Sequence, residues 1–359
     1  MEKIRYAVVG LHHGLEHVNV IPRNSQRQLV AVCDQDRARL EGALKTIKEN
    51  LNLKYPVKDF LSYEQLLDWN EFDAVVIAVP PHLHAQLAVK AIEAGKHVLL
   101  EKPLTCDFAQ ASQIRQALQK ASNLVFQVGY EVRSSQLVSK TLQLIQQGEI
   151  GQVVFVWWHM FLKNEGKQLP YWQKERRYGG GKLFDCLCHY MDILSLFAGA
   201  VFDRVSAFGT EVGQTGLNPD RIPRVATVIF EYASGAKGNV SLSEVTPSPE
   251  NSLFGVVGTD GIIYGNPWRP EGAGSLDAYT RGCLYREQIS ISGSLASRGH
   301  LGFAEQHDAF QQAILKGEPV PCSFEDAFEV LLMTRAVDRS LATGTTVSRQ
   351  EMLEEALGR

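Results

Sequence analysis

Between residue 3 and about residue 128, short apolar and β-branched runs alternate with stretches whose apolar residues recur at helical spacing. Strands are expected at Ile4 to Val9, Gln28 to Cys33, Ala74 to Val79, His97 to Leu100 and Asn123 to Gly129. The run Ala74-Val75-Val76-Ile77-Ala78-Val79 is apolar throughout and does not alternate, as befits a strand buried on both faces. Helices are expected at Leu83 to Ala94, where Gly95 supplies a stop, and at Phe108 to Lys120. That alternation is the pattern of βαβ units built around a parallel sheet.

Beyond Gly129 the pattern changes. A helix from Ser134 to Gln147 leads into longer strands, Gln152 to Phe161 and Ala226 to Tyr232, of the kind found in antiparallel sheets. Ser234 to Gly238 lies between two strand-like runs and reads as a hairpin turn, because glycine supplies the positive φ a tight turn needs. Gly265 to Gly299 is rich in Gly, Ser and Arg and fits no element template. Ala304 to Lys316 and Glu325 to Ala342 read as amphipathic helices closed by Gly317 and Gly344. At 359 residues the chain exceeds the size at which one core usually stops growing. Two domains are therefore expected: an α/β domain with a parallel sheet over residues 1–128, and an α+β domain with a largely antiparallel open sheet over residues 129–359, the closing helices included.

Composition narrows the class. Hydrophobic residues at 45% and charged residues at 21% are those of a soluble globular protein, and a formal net charge of -4 without a basic cluster excludes nucleic acid as a partner. The apolar runs are too short to span a bilayer, and the start lacks the layout of a signal peptide, so a cytoplasmic protein is expected. The six cysteines are scattered, and Cys186 and Cys188 lack the spacing of a zinc or redox pair, which points to reduced thiols.

The first strand runs into Gly10-Leu11-His12-His13-Gly14, where a Rossmann fold turns tightly and directs backbone N–H groups at a pyrophosphate. The G-x-G-x-x-G fingerprint is incomplete: His12 takes the second glycine position, Leu15 the third, and Gly14 is displaced by one. Asp34 ends the second strand, where a carboxylate accepts from ribose hydroxyls and opposes a 2′-phosphate, which favours NAD over NADP. A plain helix cap is the other reading of Asp34. His13 and His17 stand one helical turn apart beside Glu16, a spacing that raises a metal site, but no further ligands are nominated.

Two blocks carry a resemblance. The first is Ala74 to Val79 followed by Pro80-Pro81-His82-Leu83-His84, and then Ala91 to Leu100 followed by Glu101-Lys102-Pro103-Leu104; the second is Gly179-Gly180-Gly181-Lys182-Leu183-Phe184-Asp185-Cys186-Leu187-Cys188-His189-Tyr190-Met191-Asp192. In order and spacing they resemble the Gfo/Idh/MocA oxidoreductases, named for glucose-fructose oxidoreductase, inositol dehydrogenase and a rhizopine-catabolism protein. Relatives usually carry glycine where this chain has Leu187. The resemblance covers nearly the whole chain and implies an open sheet in the second domain, used for homodimer or homotetramer contacts.

What it implies for chemistry is an NAD-dependent dehydrogenase acting on a sugar, cyclitol or related polyol. Oxidising a secondary alcohol removes a hydroxyl proton as hydride leaves the same carbon. His189 is the expected general base, with Asp185 at i-4 orienting its ring and Lys102 holding the reacting oxygen. The cofactor is expected on Gly10, His12, His13, Gly14, Asp34, Pro80, His82, His84, Glu101 and Lys102, and the substrate on Lys102, Tyr171, Trp172, Asp185 and His189. Taken singly, Lys102 reads as a surface lysine, Asp185 as a cap and His189 as a core histidine; their joint occurrence at the family's spacing is what favours a working site. Two other functions share this fold: a redox-neutral NAD-dependent glycosidase or epimerase, and a non-catalytic dinucleotide sensor.

Overall fold

The computed structural model describes residues 3–51, 53–163, 172, 178, 181–210, 223–246, 251–268, 274–280, 283–289 and 302–359. The chain forms two compact units, Met1–Ser134 with Leu301–Ala327, and Ser135–His300 with Phe328–Arg359.

The first unit is built on a six-stranded sheet in the order β3-β2-β1-β4-β5-β6, all parallel. Its strands are β1 (Ile4–Val9), β2 (Arg27–Cys33), β3 (Lys58–Phe60), β4 (Ala74–Ile77), β5 (His97–Glu101) and β6 (Phe126–Gly129). The order reverses between β1 and β4, and that switch opens a crevice at the carboxyl ends of the strands. Helices α1 (Leu15–Val20), α2 (Arg37–Thr46), α3 (Tyr63–Trp69), α4 (His84–Glu93) and α5 (Phe108–Gln119) connect them. Side-chain caps define several starts: Asp36 opens α2, Ser62 opens α3 and Asp107 opens α5. The expected strand over 74–79 stops at Ile77, ahead of Pro80 and Pro81, which have no N–H to extend a ladder. The three-residue β3 and the short α3 were not expected, since neither carries an apolar run long enough to register.

The core of this unit packs Tyr6, Val8, Leu11, Val18, Ile21, Leu29, Val76 and Leu99 around the sheet, and Phe310 joins them although it comes from the far end of the chain. Phe310 lies on α8 (Phe303–Lys316), so this helix belongs with the first unit, whereas the sequence boundary at 128/129 assigned it to the second. Tertiary burial drives the difference: Gln127 Nε2 donates to the Gln306 carbonyl at 3.3 Å and the Val128 amide to the Cys322 carbonyl at 3.0 Å. Periodicity reports that a helix has an apolar face, not which core receives it.

The second unit holds a nine-stranded sheet in the order β14-β13-β12-β11-β7-β10-β9-β8-β15, antiparallel except where β10 pairs with β7. Its strands are β7 (Val153–Lys163), β8 (Phe202–Thr210), β9 (Val225–Tyr232), β10 (Lys237–Thr246), β11 (Asn251–Gly258), β12 (Gly261–Trp268), β13 (Gly274–Thr280), β14 (Cys283–Ile289) and β15 (Val347–Ser348). Helices α6 (Gln136–Gln146), α7 (Gly181–Ala198), α9 (Phe324–Thr343) and α10 (Arg349–Ala356) complete the chain. β9 and β10 meet at the expected hairpin, with Gly235 at φ 88°. Trp158 is buried, stacked 4.7 Å from Phe254 and tilted against Tyr190 at 4.6 Å, its indole N–H donating to Ser252 Oγ at 2.8 Å. Among the described residues, no helix is long and apolar enough to cross a membrane.

Phe310→Ala is expected to destabilise the first unit by about 3 to 5 kcal/mol, the range for deleting a buried phenylalanine. Amide hydrogen exchange checks this: protection of β1 falls sharply, while that of β10 changes far less.

Candidate active site

The turn after β1 is shaped by close backbone approach. Gly10 has φ 87°, and a Cβ there would collide with the carbonyl oxygen of Ala78 beyond β4; a Cβ at Gly14 would collide with the carbonyl of Gly10. Gly14 thus performs the close packing that the incomplete fingerprint left open, and His12 stands exposed at the turn. Asp34 is buried, with Oδ2 accepting the Leu11 N–H at 2.7 Å and Oδ1 the Asp36 N–H at 2.9 Å. Its carboxylate braces the turn it was expected to face. The helix cap belongs to Asp36, whose Oδ1 accepts from the amides of Ala38 and Arg39.

Pro80 and half-buried His82 sit in the turn after β4. His84 is fully buried, its ring nitrogens 2.8 Å from the Pro103 carbonyl and 2.9 Å from the Val79 carbonyl. Burial pushes its pKa below the ordinary histidine value, though these carbonyls oppose the shift. A neutral ring has one N–H, so one of the two contacts is a hydrogen bond at any moment. With no exposed surface, His84 offers nothing to a ligand; it tethers the β4 turn to the Glu-Lys-Pro loop.

Lys102 follows β5 and is half-buried. Behind it Glu101 is 3% exposed, with Oε1 2.9 Å from His17 Nε2, Oε2 3.8 Å from His13 Nε2, and Oε2 accepting the Lys102 N–H at 3.2 Å. Burial alone raises the Glu101 carboxyl, but His13, the His17 hydrogen bond and Lys102 together outweigh it and hold the group well below the usual carboxylate range. Opposite in the sheet lies Gly129, where a Cβ would stand 3.0 Å from Glu101 Oε1. His17 continues inward: its Nδ1 is 2.9 Å from Nε2 of His307 on α8, and both rings are 0% exposed. Both nitrogens of His17 are therefore occupied, which leaves none for the metal its spacing suggested. His307 is signalled by nothing local, whereas His17 is signalled by its spacing from His13.

In the first unit, then, Gly10, His12, His13, Gly14, Asp34, Pro80, His82, Glu101 and Lys102 all gather at the carboxyl ends of β1, β2, β4 and β5. In the second unit, α7 carries half-buried Asp185 and buried His189 one turn apart. Leu187, where relatives usually have glycine, is fully buried. Trp172 is half-buried, and Tyr171 lies outside the described residues.

The strand order, the switch point and the two glycines whose Cβ positions backbone atoms already occupy fit a dinucleotide. Residues 4–130 match the family model described as oxidoreductase family, NAD-binding Rossmann fold, and residues 138–264 match the GFO/IDH/MocA C-terminal domain. The chain belongs to the GFO/IDH/MocA oxidoreductase family. It is 28% identical to scyllo-inositol 2-dehydrogenase (NAD(+)) of Bacillus subtilis (strain 168) over 264 residues, 73% of each chain. Identity is also 28% over 343 residues with D-xylose 1-dehydrogenase (NADP(+)) 2 of Haloferax volcanii, covering 93% of this chain and 96% of that one. Among solved structures, an oxidoreductase from Agrobacterium radiobacter in complex with NAD+, L-tartaric acid and magnesium shares the fold, with a TM-score of 0.82 at 17% identity over 98% of this chain and 99% of the other.

The buried histidines give this family member a testable pH dependence. Burial, aided by His17 and Arg27, holds His307 well below the ordinary value of 6.5. The unfolded chain therefore binds a proton that the folded chain refuses, and stability falls as pH drops below about 6.5. His307→Gln has nothing to titrate there, so its melting temperature is expected to decline less steeply between pH 7 and pH 5 in parallel thermal scans.

Proposed function

We propose that this protein transfers a hydride between a nicotinamide dinucleotide and a secondary alcohol of a sugar, cyclitol or related polyol. The observation that carries this reading is Lys102 at the carboxyl end of β5 with the ionised, buried Glu101 directly behind it. The names of the relatives, an inositol and a xylose dehydrogenase, support the substrate class. Gly10, His12, His13, Gly14, Asp34, Pro80 and His82 are assigned to the dinucleotide. When bound, its nicotinamide supplies the acceptor for the hydride.

The protein's own groups handle the oxygen and the proton. Lys102 binds the hydroxyl oxygen and stabilises the negative charge that develops on it. His189 takes the hydroxyl proton, and Asp185, one helical turn earlier, orients the imidazole and supports the charge it acquires. Tyr171 and Trp172 are assigned to the apolar C–H face of the substrate. NAD is the favoured cofactor, since a 2′-phosphate brought to Asp34 meets a buried carboxylate already committed to backbone donors.

Lys102→Met is expected to lower turnover about 100- to 1000-fold while leaving NAD affinity within a few-fold, because the ammonium is assigned to the reacting oxygen. His189→Ala is also severe, and the double variant falls less than the product of the two single losses if both groups serve one step. Single-turnover absorbance of the reduced nicotinamide with a panel of polyols, alongside NAD and NADP titrations, checks these points. Wild-type turnover in Lys102→Met removes the assignment; equal loss of NAD binding moves Lys102 to the cofactor.

A homodimer or homotetramer accompanies this reading. Register places Ile229, Asn239, Trp157, Gly255 and Tyr264 in one row across β9, β10, β7, β11 and β12. Ile229 and Tyr264 are exposed, as are Phe155 on β7, Phe208 on β8 and Tyr279 on β13, and such an apolar face calls for a cover. Light scattering after size exclusion is expected to give a multiple of the chain mass, and Ile229→Glu with Tyr264→Glu to give a folded monomer.

A further inference from the structure

The buried chain from Glu101 through His17 to His307 is built so that its proton positions follow from one unsatisfied atom. Burial, with the Arg27 guanidinium beside it, opposes the charged form of His307 and favours the neutral ring. It therefore carries one ring proton. Among the described residues its buried Nδ1 meets no hydrogen-bond partner, so a proton there would be a buried donor with no acceptor, which is costly. The proton accordingly sits on Nε2, 2.9 Å from His17 Nδ1. His17 Nδ1 must then present a lone pair and His17 Nε2 the N–H, which donates to Glu101 Oε1 at 2.9 Å. Every donor in the chain points the same way, toward the carboxylate.

This direction has an electrostatic result. With its Nδ1 lone pair held by the His307 N–H, His17 meets Glu101 as a hydrogen-bond donor through Nε2 alone. The anion faces the charge of Lys102, and Oε2 accepts the Lys102 main-chain N–H at 3.2 Å. Phe303 wedges His17 in place, ring centroids 5.3 Å apart at 77°. Among the described residues, the charged or titratable groups facing the chain besides Lys102 include His13, 3.8 Å from Glu101 Oε2, His84, which feels the Glu101 charge, and Arg27 and Tyr6 near His307.

We propose that His307 is a positioning residue that locks His17 in its Nε2–H tautomer, and that the locked pair preserves the negative charge of Glu101 as the fixed counter-charge of Lys102. The residue acts through His17 and Glu101 and touches neither substrate nor cofactor. Its catalytic consequence rests on the role given to Lys102 above; the tautomer lock itself does not.

The test uses the full-length protein with 15N-labelled histidine, with His17 assigned by difference from His17→Gln. The wild type is expected to show a protonated Nε2 and a lone-pair Nδ1 for His17 at pH 7. His307→Leu removes the donor and is expected to give a mixed or inverted tautomer and a kcat about tenfold lower, of the order seen when a supporting hydrogen bond is lost. Polyol KM and NAD affinity stay within twofold. His307→Gln, whose amide N–H reaches where His307 Nε2 stands, restores the tautomer and brings kcat to within threefold of wild type. A wild-type His17 found as the Nδ1–H tautomer or as imidazolium overturns the lock. Leu and Gln variants with equal kcat overturn the positioning role: equal to wild type shows the donor is not used, and equally impaired shows that packing alone matters. If the wild type turns over no polyol, the functional reading fails while the spectra still decide the lock.

Discussion

The first unit depends on keeping a carboxylate ionised where water does not reach. Removing such an ion from water costs several kcal/mol after relaxation, and that cost is offset only if its lone pairs find donors in good geometry. Glu101 draws them from separate places in the sequence: His17 on α1, the Lys102 backbone beyond β5, and His307 on α8 at one remove. Gly129 on the neighbouring strand leaves the room. The return of α8 to the first unit is thus more than apolar packing around Phe310. Without that helix, His17 would keep its bond to Glu101 but lose the donor that determines which of its nitrogens carries the proton.

The same economy of space governs the switch point. β1 and β4 are hydrogen-bonded neighbours, and the turn leaving β1 lies so close to Ala78 that Gly10 has no room for a side chain. Asp34 holds that turn by the Leu11 amide, so the carboxylate expected to recognise a ribose also fixes the loop expected to meet the pyrophosphate. Replacing it changes both at once, and for that reason a cofactor-preference variant at Asp34 is a poor test of charge alone.

What the sequence disclosed follows the range of each interaction. The continuous apolar run at Ala74 to Val79 marked β4, because a doubly buried strand leaves little choice of residue type, and short β-branched and apolar runs marked β1 and β5 to within a few residues. The Glu-Lys-Pro block and the Asp185 and His189 pair were visible because each is contiguous or one helical turn long. The strands β12 to β14 were not, since Gly265 sits where a Cβ would strike the Phe254 ring and the outward positions carry no consistent polarity. Local rules also stop short by small steps: the α2 cap lies at Asp36, two residues beyond Asp34, and the i, i+4 pair His13 and His17 splits its rings between one carboxylate and a distant helix. His307 lies 290 residues from His17, and no local pattern could have joined them.

A site that moves a proton needs neighbours that do not. Lys102 and His189 are assigned to exchange or hold charge during turnover, and every titratable group near them is a competing place for the proton to rest. In the first unit the fold removes that competition by burial: His84 and His307 are driven toward neutrality and Glu101 toward the anion. A histidine so treated becomes a fixed dipole, directional and insensitive to pH over the working range. Burial that in another setting would waste ionisable side chains here converts them into a scaffold of known charge, leaving Lys102 as the cation around which that scaffold is arranged.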